Sequence, residues 1–397
     1  MRLRRINLLQ VVPGLTVGGT EKMFVQFLPL FNKARYNLSV CCLKGRGALS
    51  DELKERGIKV EYLNMPRGPG FLILLDSFRA IIKLFYLMKK RKIDIVHSYL
   101  FRANILCRIA AKLAGIPVVL SSMQGIEVTR KCPLLLEKLT SPLVDKFTAV
   151  SDAIRIYIIQ KARIDPEKIV TIHNGIGLIE ANVAPIERKE FGLRPGVPIV
   201  GVVGRLAKEK GHEYLLNAVR IVIREYPQAH FLVVGDGAQR KELVNLAFDL
   251  GLKDHITFTG YRRDVLRVLA LFDIFALATL WEGLSMVILE AMVMAKPVVT
   301  TNVVGNPEVV VDGVTGFLVA PRDAEDLAER ILTLLKDENL RKRMGSAGRK
   351  RIEEKFTIER MVSETEKLYE ELLVKKKEVI NLDFQKDRKN ITDPATV

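Results

Sequence analysis

Residues Val200–Leu216 read VGVVGRLAKEKGHEYLL, which is the order of a strand, a glycine-containing loop and the start of a helix. The earlier stretch Gln10–Leu28, QVVPGLTVGGTEKMFVQFL, has the same order. Glycines there let backbone N–H groups approach a ligand, and a helix N-terminus favours phosphate, although such turns also need glycine for geometry alone. Neither stretch fits GxGxxG or GxxxxGK[ST], which disfavours a dehydrogenase or a P-loop kinase. The pair predicts a phosphate-containing ligand held in a cleft between two domains.

Short apolar runs alternate with helical patterns on both sides of these stretches, as in βαβ units. The first series of runs comprises Ile6–Val12, Leu38–Leu43, Ile93–His97, Pro117–Ser121 and Lys146–Val150. The second series comprises PIVGVVGRL, HFLVVGDG, HITFTGY, DIFALA, KPVVTT and TGFLVA. The alternation predicts an α/β fold with two parallel-sheet, Rossmann-like domains.

The chain has 397 residues, of which 48% are hydrophobic and 27% charged, so a disordered or fibrous chain is disfavoured. This length suits two domains. We predict an N-terminal domain at 1–183, a linker at 184–198 and a C-terminal domain at 199–360. A helix at 361–380 is expected to pack back on the first domain, and a polar, frayed tail is expected at 381–397.

The formal net charge of +16 is unevenly distributed along the chain. Residues 1–185 carry 29 basic and 14 acidic side chains, whereas residues 186–397 carry 33 and 32. The first half is therefore expected to meet an anionic partner: nucleic acid, a membrane surface or a phosphorylated substrate. Nucleic acid is disfavoured, because only 7% of residues are aromatic and no recognition motif is found.

The four cysteines show neither a CxxC pair nor zinc-ligand spacing, and no secretory leader is recognised, which predicts a cytoplasmic protein. The apolar run that starts at Phe71 contains Asp76, Arg79 and Lys83, so it is not expected to span a membrane. It ends in the basic cluster 89–92. A core helix with a basic C-terminal end is favoured over an amphipathic helix on an anionic membrane.

The segment LWEGLSMVILEAMVMAKPVV contains two glutamates, Glu282 and Glu290, eight positions apart. If all intervening residues were helical, their backbones would lie about 12 Å apart, too far for a close acid/base pair. They could instead hold two parts of an elongated polar ligand, with the amides of Leu284, Ser285 and Met286 between them. The alternative is that Glu282 caps a helix and Glu290 lies on the surface. The ligand is favoured, because an unpaired carboxylate in an apolar helix is costly.

This segment resembles the E-x7-E region of the retaining nucleotide-sugar glycosyltransferases of family 4 (group 1), which have the GT-B fold. Other stretches resemble that family in the same order: GGTE, DIVHSYLFRAN, AVSDAIR, TIHNGI, VGRLAKEKG, LVVGDG, FTGYRRDV and DGVTGFLVAP. The resemblance spans Gln10 to about Leu372. It implies two Rossmann-like domains that face each other across a cleft.

The resemblance also implies roles for individual residues. Glu282 would contact the sugar hydroxyls of the donor, and Glu290 its ribose. Arg205 and Lys210 would bind the donor diphosphate, where fixed cations stabilise the developing charge without a metal. An ordinary solvated basic patch is the alternative for these two residues. The remaining donor-binding positions are Gly18, Gly19, Gly235, Leu284, Ser285 and Met286.

His97 ends a strand-like run, where α/β proteins place ligand-facing side chains, and is a candidate catalytic residue. A packed core histidine is the alternative. The sequence departs from the family nearby, since Tyr99 and Gln124 stand where histidines are frequent. Gly177, directly after TIHNGI, stands where the family usually has an aspartate, so Asn174 and Gly175 are interpreted as hinge elements.

The predicted function is therefore retaining, metal-independent transfer of a sugar from a UDP- or GDP-sugar, with no cofactor. The acceptor is predicted to be an anionic or lipid-linked glycan in cell-envelope polysaccharide synthesis, with peripheral contact at the inner membrane face as an open possibility. Two other interpretations stay open: another enzyme on the same scaffold, such as a sugar-nucleotide epimerase or a phosphorylase, and a basic nucleic-acid-binding protein.

Overall fold

A computed structural model describes residues 4–16, 18–66, 72–125, 131–178 and 183–391. These residues form two compact units, one from residues up to 150, 154–172 and 359 onward, the other from 151–153 and 173–358. The first boundary lies earlier than the sequence indicated. The reason is local: the Ile176 N–H donates to the Phe356 carbonyl at 2.9 Å, and the Ile358 N–H to the Ile176 carbonyl at 3.1 Å. Residues 173–178 thereby belong to unit 2.

Seven parallel strands form the sheet of unit 1, in the order β3-β2-β1-β4-β5-β6-β7. The central strands are apolar along their length because helices cover both faces of a parallel sheet. The strands are β1 Ile6–Val12, β2 Tyr36–Cys42, β3 Lys59–Tyr62, β4 Ile95–Tyr99, β5 Val118–Met123, β6 Lys146–Ala149 and β7 Ile169–Thr171.

The strand order of unit 1 reverses after β3, so right-handed connections place the first two helices on one face of the sheet and the next four on the other. These helices are α1 Gly19–Phe27, α2 Ser50–Glu55, α3 Leu72–Lys90, α4 Phe101–Ala114, α5 Lys131–Thr140 and α6 Asp152–Ala162. On the second face, Leu84 and Met88 of α3 and Cys107 of α4 join one buried apolar cluster.

Six parallel strands form the sheet of unit 2, in the order β10-β9-β8-β11-β12-β13. They are β8 Ile199–Val203, β9 His230–Val234, β10 Ile256–Gly260, β11 Ile274–Leu277, β12 Val298–Thr301 and β13 Gly316–Val319. The helices are α7 His212–Glu225, α8 Arg240–Asp249, α9 Val265–Leu269, α10 Met286–Val293, α11 Asn306–Val309, α12 Ala324–Lys336 and α13 Glu338–Lys355. From β8 to β10 the strands are added toward one edge of the sheet, and from β11 to β13 toward the other edge. The predicted α/β class with two parallel-sheet domains is confirmed.

The last helix, α14 Ile358–Ile391, packs on unit 1. Tyr369 is fully buried there, and Arg35 forms a bidentate ion pair with Glu370. The helix includes residues 381–391, which were expected to form a frayed tail. That expectation was wrong for them, because no glycine or proline interrupts the helix before Pro394.

Across the described residues, no helix combines the length and apolar character required to cross a bilayer.

Candidate active site

The carboxyl ends of β8 and β11 lie side by side at the point where the strand order of unit 2 reverses. Open α/β sheets bind ligands at this kind of switch point. Arg205 and Lys210 follow β8, and Glu282 follows β11. The structure brings two of them into contact, because Lys210 Nζ forms an ion pair with Glu282 Oε2, with side chains 17% and 19% exposed.

Backbone and hydroxyl contacts hold these two loops together. The Glu209 carbonyl accepts hydrogen bonds from Thr279 Oγ1 at 2.9 Å and from the Leu280 N–H at 2.8 Å. Gly211 has φ +61°, and a Cβ there would lie 2.0 Å from the Ala278 carbonyl oxygen. The glycine of KEKG is thus required by close approach, and it fixes Lys210 beside the β11 loop.

Arg205 lies at the rim of the site, with a side chain 70% exposed and an ion pair to Glu209 at 2.5 Å. Its carbonyl accepts a hydrogen bond from His212 Nε2 at 3.1 Å. Burial lowers the pKa of His212, which keeps the ring neutral. No motif identified this positioning histidine, although its place directly after a loop glycine and at a helix start was a usable signal.

Gly235 lies at the end of β9, where φ is +143°. A Cβ at this position would lie 1.9 Å from the Gly204 carbonyl oxygen, and one on Gly237 would lie 2.4 Å from that of Leu206. The Gly204 N–H also donates to the Val234 carbonyl at 3.0 Å. These glycines let the β9 loop support the loop that carries Arg205, which is a structural reason for the LVVGDG motif.

We expect Gly235→Ala to lower the free energy of unfolding by about 3 kcal/mol, because the new methyl group adds a backbone collision to a strained φ. Urea unfolding measures the change. Gly251→Ala is the matched control: Gly251 has φ +73° but nothing within 4 Å of a Cβ, so it adds strain without collision. Equal losses in the two variants would contradict the packing argument.

Helix α10 begins at Met286, with Ser285 as its N-cap residue. Ser285 is 1% exposed, and its Oγ has no hydrogen-bond partner among the described residues. The first N–H groups of a helix have no intrahelical acceptor, so this terminus offers a hydroxyl and several N–H donors to an anion. The sequence pointed to the amides of Leu284, Ser285 and Met286 but missed the hydroxyl.

Glu282 and Glu290 lie on different elements, which corrects one premise of the sequence analysis. Glu282 belongs to the loop before α10, whereas Glu290 is a half-buried residue within the helix. Their separation is therefore not that of eight helical residues. The loop allows Glu282 to turn toward Lys210 independently of the helix.

The loop after β12 contacts the Glu282 loop from its other side. The Gly305 N–H donates to the Glu282 carbonyl at 3.3 Å, and a Cβ on Gly305 would lie 1.9 Å from the Gly283 carbonyl oxygen. The preceding residue, Val304, has φ +40°, which is strained for a β-branched side chain. Strain of this kind concentrates at functional sites, and no sequence motif indicated it.

His97 lies on β4 in unit 1 and is 2% exposed. Its Nδ1 is 2.7 Å from the Tyr369 hydroxyl and 3.2 Å from that of Tyr99, and its Nε2 is 3.3 Å from Thr148 Oγ1. Burial lowers the pKa of His97 to about 3. With both ring nitrogens engaged inside unit 1, His97 fits the packed-histidine alternative, and its catalytic role stays a prediction.

This burial predicts a pH-dependent stability. Folded His97 stays neutral down to about pH 3, whereas the unfolded chain protonates it near its ordinary pKa of about 6.5. The unfolded state therefore binds more protons between these values, so stability falls as pH falls below about 6.5, by about 2 kcal/mol at pH 5 from this residue. Urea unfolding of wild type and His97→Gln at pH 7, 6 and 5 measures it. Parallel pH profiles of the two proteins would contradict the assignment.

Gly18 and Gly19 lie in unit 1, where Gly18 is the N-cap residue of α1. Gly18 has an extended backbone, so its φ does not require glycine. A Cβ there would lie 2.3 Å from a Glu21 carboxylate oxygen, so this side chain takes up the space beside Gly18. The donor-binding role of both glycines stays a prediction.

Within the described part of the chain, no three His, Cys, Asp or Glu side chains gather into a possible metal site.

Two family models match the chain in succession. Residues 17–178 match Glycosyltransferase Family 4, and residues 183–351 match Glycosyl transferases group 1. Each model covers most of one half of the chain, and the second contains Arg205, Lys210, Glu282 and Glu290.

Individual relatives match three quarters of the chain or more. The UDP-Gal:alpha-D-GlcNAc-diphosphoundecaprenol alpha-1,3-galactosyltransferase of Escherichia coli is 29% identical over 94% of this chain and 98% of its own length. The capsular polysaccharide biosynthesis glycosyltransferase CapM of Staphylococcus aureus is 27% identical over 76% of this chain and 83% of its own length. Among solved structures, Anabaena HepE in complex with UDP-glucose has a TM-score of 0.78 at 25% identity and covers 91% of this chain and 99% of its own.

Proposed function

Because the chain belongs to the group 1 glycosyltransferases of family 4, we propose that it transfers a sugar from a UDP-sugar to a hydroxyl of a lipid-linked glycan. The observation that carries this proposal is the Lys210–Glu282 pair at the switch point of unit 2, next to the open N-terminus of α10. UDP is preferred to GDP because the E. coli relative is named for UDP-Gal and HepE was solved with UDP-glucose. The acceptor class follows the same relative, whose name contains a diphosphoundecaprenol.

In this proposal the donor diphosphate binds between Lys210, Arg205 and the helix terminus at Ser285. Lys210 brings a cation that the structure holds against a carboxylate, and Ser285 brings a hydroxyl that has no partner among the residues the structure describes. An arriving diphosphate would share Lys210 and release Glu282 to accept hydrogen bonds from sugar hydroxyls. Glu290, farther along α10, would accept from the ribose.

The proposed chemistry retains the anomeric configuration. The bond between the sugar C1 and the diphosphate oxygen breaks, the bond from C1 to the acceptor oxygen forms on the same face, and the acceptor proton passes to the departing phosphate. Negative charge grows on the leaving diphosphate, so fixed cations stabilise the transition state more than the ground state. Lys210 and Arg205 would supply that stabilisation, and we propose that no metal or cofactor is needed.

A transfer assay tests the proposal. The purified protein is incubated with UDP-galactose, UDP-glucose, UDP-N-acetylglucosamine or GDP-mannose and a diphosphate-lipid acceptor, with and without EDTA. We expect one UDP-sugar to give a product whose new linkage is α by NMR when the donor is α, at a rate that EDTA leaves unchanged. An inverted linkage would refute retention, loss of activity in EDTA would refute metal independence, and donor consumption without acceptor would favour an epimerase or hydrolase.

We further propose that the protein works peripherally at the inner membrane face, where a lipid-linked acceptor would be found. The support is the net charge of +15 on residues 1–185, which packing does not require.

A further inference from the structure

Helices α3, α4 and α5 form a continuous layer on one face of the unit 1 sheet, since α4 packs against α3 on one side and α5 on the other. These helices contain 19, 14 and 10 residues but only two carboxylates. Asp76 and Glu137 are 7% and 2% exposed, and they pair with Arg79 and Arg108. The layer therefore presents no exposed carboxylate to its surroundings.

Helix α3 exposes a row of large apolar side chains. Leu75, Phe78, Ile82 and Tyr86 follow one another at spacings of three and four, so they lie on one side of the helix. Phe78 is 61% and Tyr86 66% exposed. The opposite side, with Ala80, Leu84 and Met88, is buried in the core. The core-helix interpretation drawn from the sequence therefore describes only one side of α3.

Cations surround this row. Arg79 and Lys83 flank it and are exposed, and Lys89 and Lys90 follow at its end. The neighbouring helices continue the pattern with exposed apolar and basic side chains, namely Leu113, Leu135 and Leu139 with Lys112 and Lys138. We name this outward side of α3, α4 and α5 the basic apolar face.

Ordinary surface chemistry does not account for the basic apolar face. A favourable interaction with the helix dipole explains Lys89 and Lys90, which end α3, but not the exposed row before them. Solvated helices usually mix both charge signs, and exposed apolar side chains in a contiguous group mark interaction sites. A nucleic acid would match the cations but leave Leu75 and Ile82 against water.

We infer that the basic apolar face docks on an anionic lipid bilayer. Apolar side chains would enter the boundary between headgroups and acyl chains, while lysine and arginine stems lie along it with their charges at the lipid phosphates. A bilayer is the surface that offers apolar depth and negative charge together. The inference adds a docking surface to the proposed function, and its biological sense rests on that function's lipid-linked acceptor.

Flotation with vesicles tests the inference without turnover. The full chain is mixed with vesicles of phosphatidylcholine alone, or with about one third phosphatidylglycerol, at low and high salt. We expect strong binding to the anionic vesicles, weak binding to the neutral ones, and a loss at high salt. Lys89→Gln/Lys90→Gln should weaken binding roughly thirtyfold. Phe78→Ala/Ile82→Ala should weaken it about tenfold.

Matched controls lie on unit 2. Val244→Ala/Phe248→Ala removes two exposed apolar side chains of α8, and Lys241→Gln/Lys253→Gln removes two exposed charges. These should bind vesicles as wild type does. Thermal unfolding checks that each variant is folded. We expect every variant to fold, because all the changed side chains are exposed.

Three outcomes would overturn the inference: equal effects of the α3 variants and their controls, tighter binding to RNA or duplex DNA than to anionic vesicles, or a dimer that dissociates in Phe78→Ala/Ile82→Ala. Stabilisation by UDP, measured as a thermal shift, separates this inference from the proposed function. If UDP stabilises the protein but vesicles do not bind it, only the docking surface is refuted. If the protein binds vesicles but no nucleotide sugar, only the proposed function is refuted.

Discussion

Lys210→Ala is expected to lower turnover roughly 10²–10³-fold, which is the usual cost of removing one preorganised donor that faces developing negative charge. The physical reason is its location: Lys210 lies at the switch point of unit 2, is only 17% exposed, and is held beside Glu282 by a loop that only glycine can close at position 211. Initial rates of transfer at saturating donor measure the effect. UDP affinity should fall as well, because the cation also meets the ground-state diphosphate.

Lys336→Ala is the matched control for this experiment. Lys336 also pairs with a glutamate, Glu225, but both side chains are 55% exposed on another part of unit 2. Exposed pairs of this kind contribute little, so turnover and stability should stay near wild type. If Lys210→Ala kept the wild-type rate with the correct donor, the assignment of Lys210 to the leaving diphosphate would be wrong.

The sequence predicted most of the fold because buried parallel strands are short, apolar and regularly spaced. All six predicted strands of the second series are present, from β8 to β13. It missed β3 and β7, the two edge strands of the unit 1 sheet. Both are short and carry polar residues such as Lys59 and Thr171, which an edge permits, so periodicity could not distinguish them from loops.

The candidate site was only partly predictable, because its geometry depends on contacts between distant segments. The motifs identified Lys210 and Glu282 singly, but they are 72 positions apart and pair only because β8 and β11 are neighbours in the sheet. The strain at Val304 likewise depends on the packing of Gly305 against Gly283. None of these contacts produces a periodic pattern in the sequence.

The surroundings of His97 also depend on contacts between distant segments, which the sequence alone did not predict. Its place at a strand end suggested a ligand-facing group, yet Tyr369, 272 positions later on α14, closes over its ring. Gln10 Nε2 also donates to the Tyr369 hydroxyl at 3.0 Å, so this hydroxyl connects the buried side chains of Gln10 and His97. Only the return of the C-terminal helix to unit 1 reveals that.

Glu282→Gln is expected to lower kcat/KM for transfer roughly 10- to 100-fold, the range for losing a hydrogen bond to a charged group. The substitution keeps the size of the side chain but removes the charge that would accept the sugar hydroxyls. It also removes the partner of Lys210, which is then free to meet a diphosphate. UDP alone should therefore bind several times more tightly, opposite in direction to Lys210→Ala.

This opposition makes the assignment testable against a merely structural role. A variant that only loosened the site would weaken both transfer and UDP binding, whereas an acceptor of sugar hydroxyls that competes for Lys210 must weaken the first and strengthen the second. The double variant Lys210→Ala/Glu282→Gln should fall short of the summed losses, because residues in contact couple. Glu225→Gln, the partner of Lys336, is the control and should change neither quantity. Weaker UDP binding by Glu282→Gln, with its thermal unfolding unchanged, would refute the competition between Glu282 and the diphosphate for Lys210.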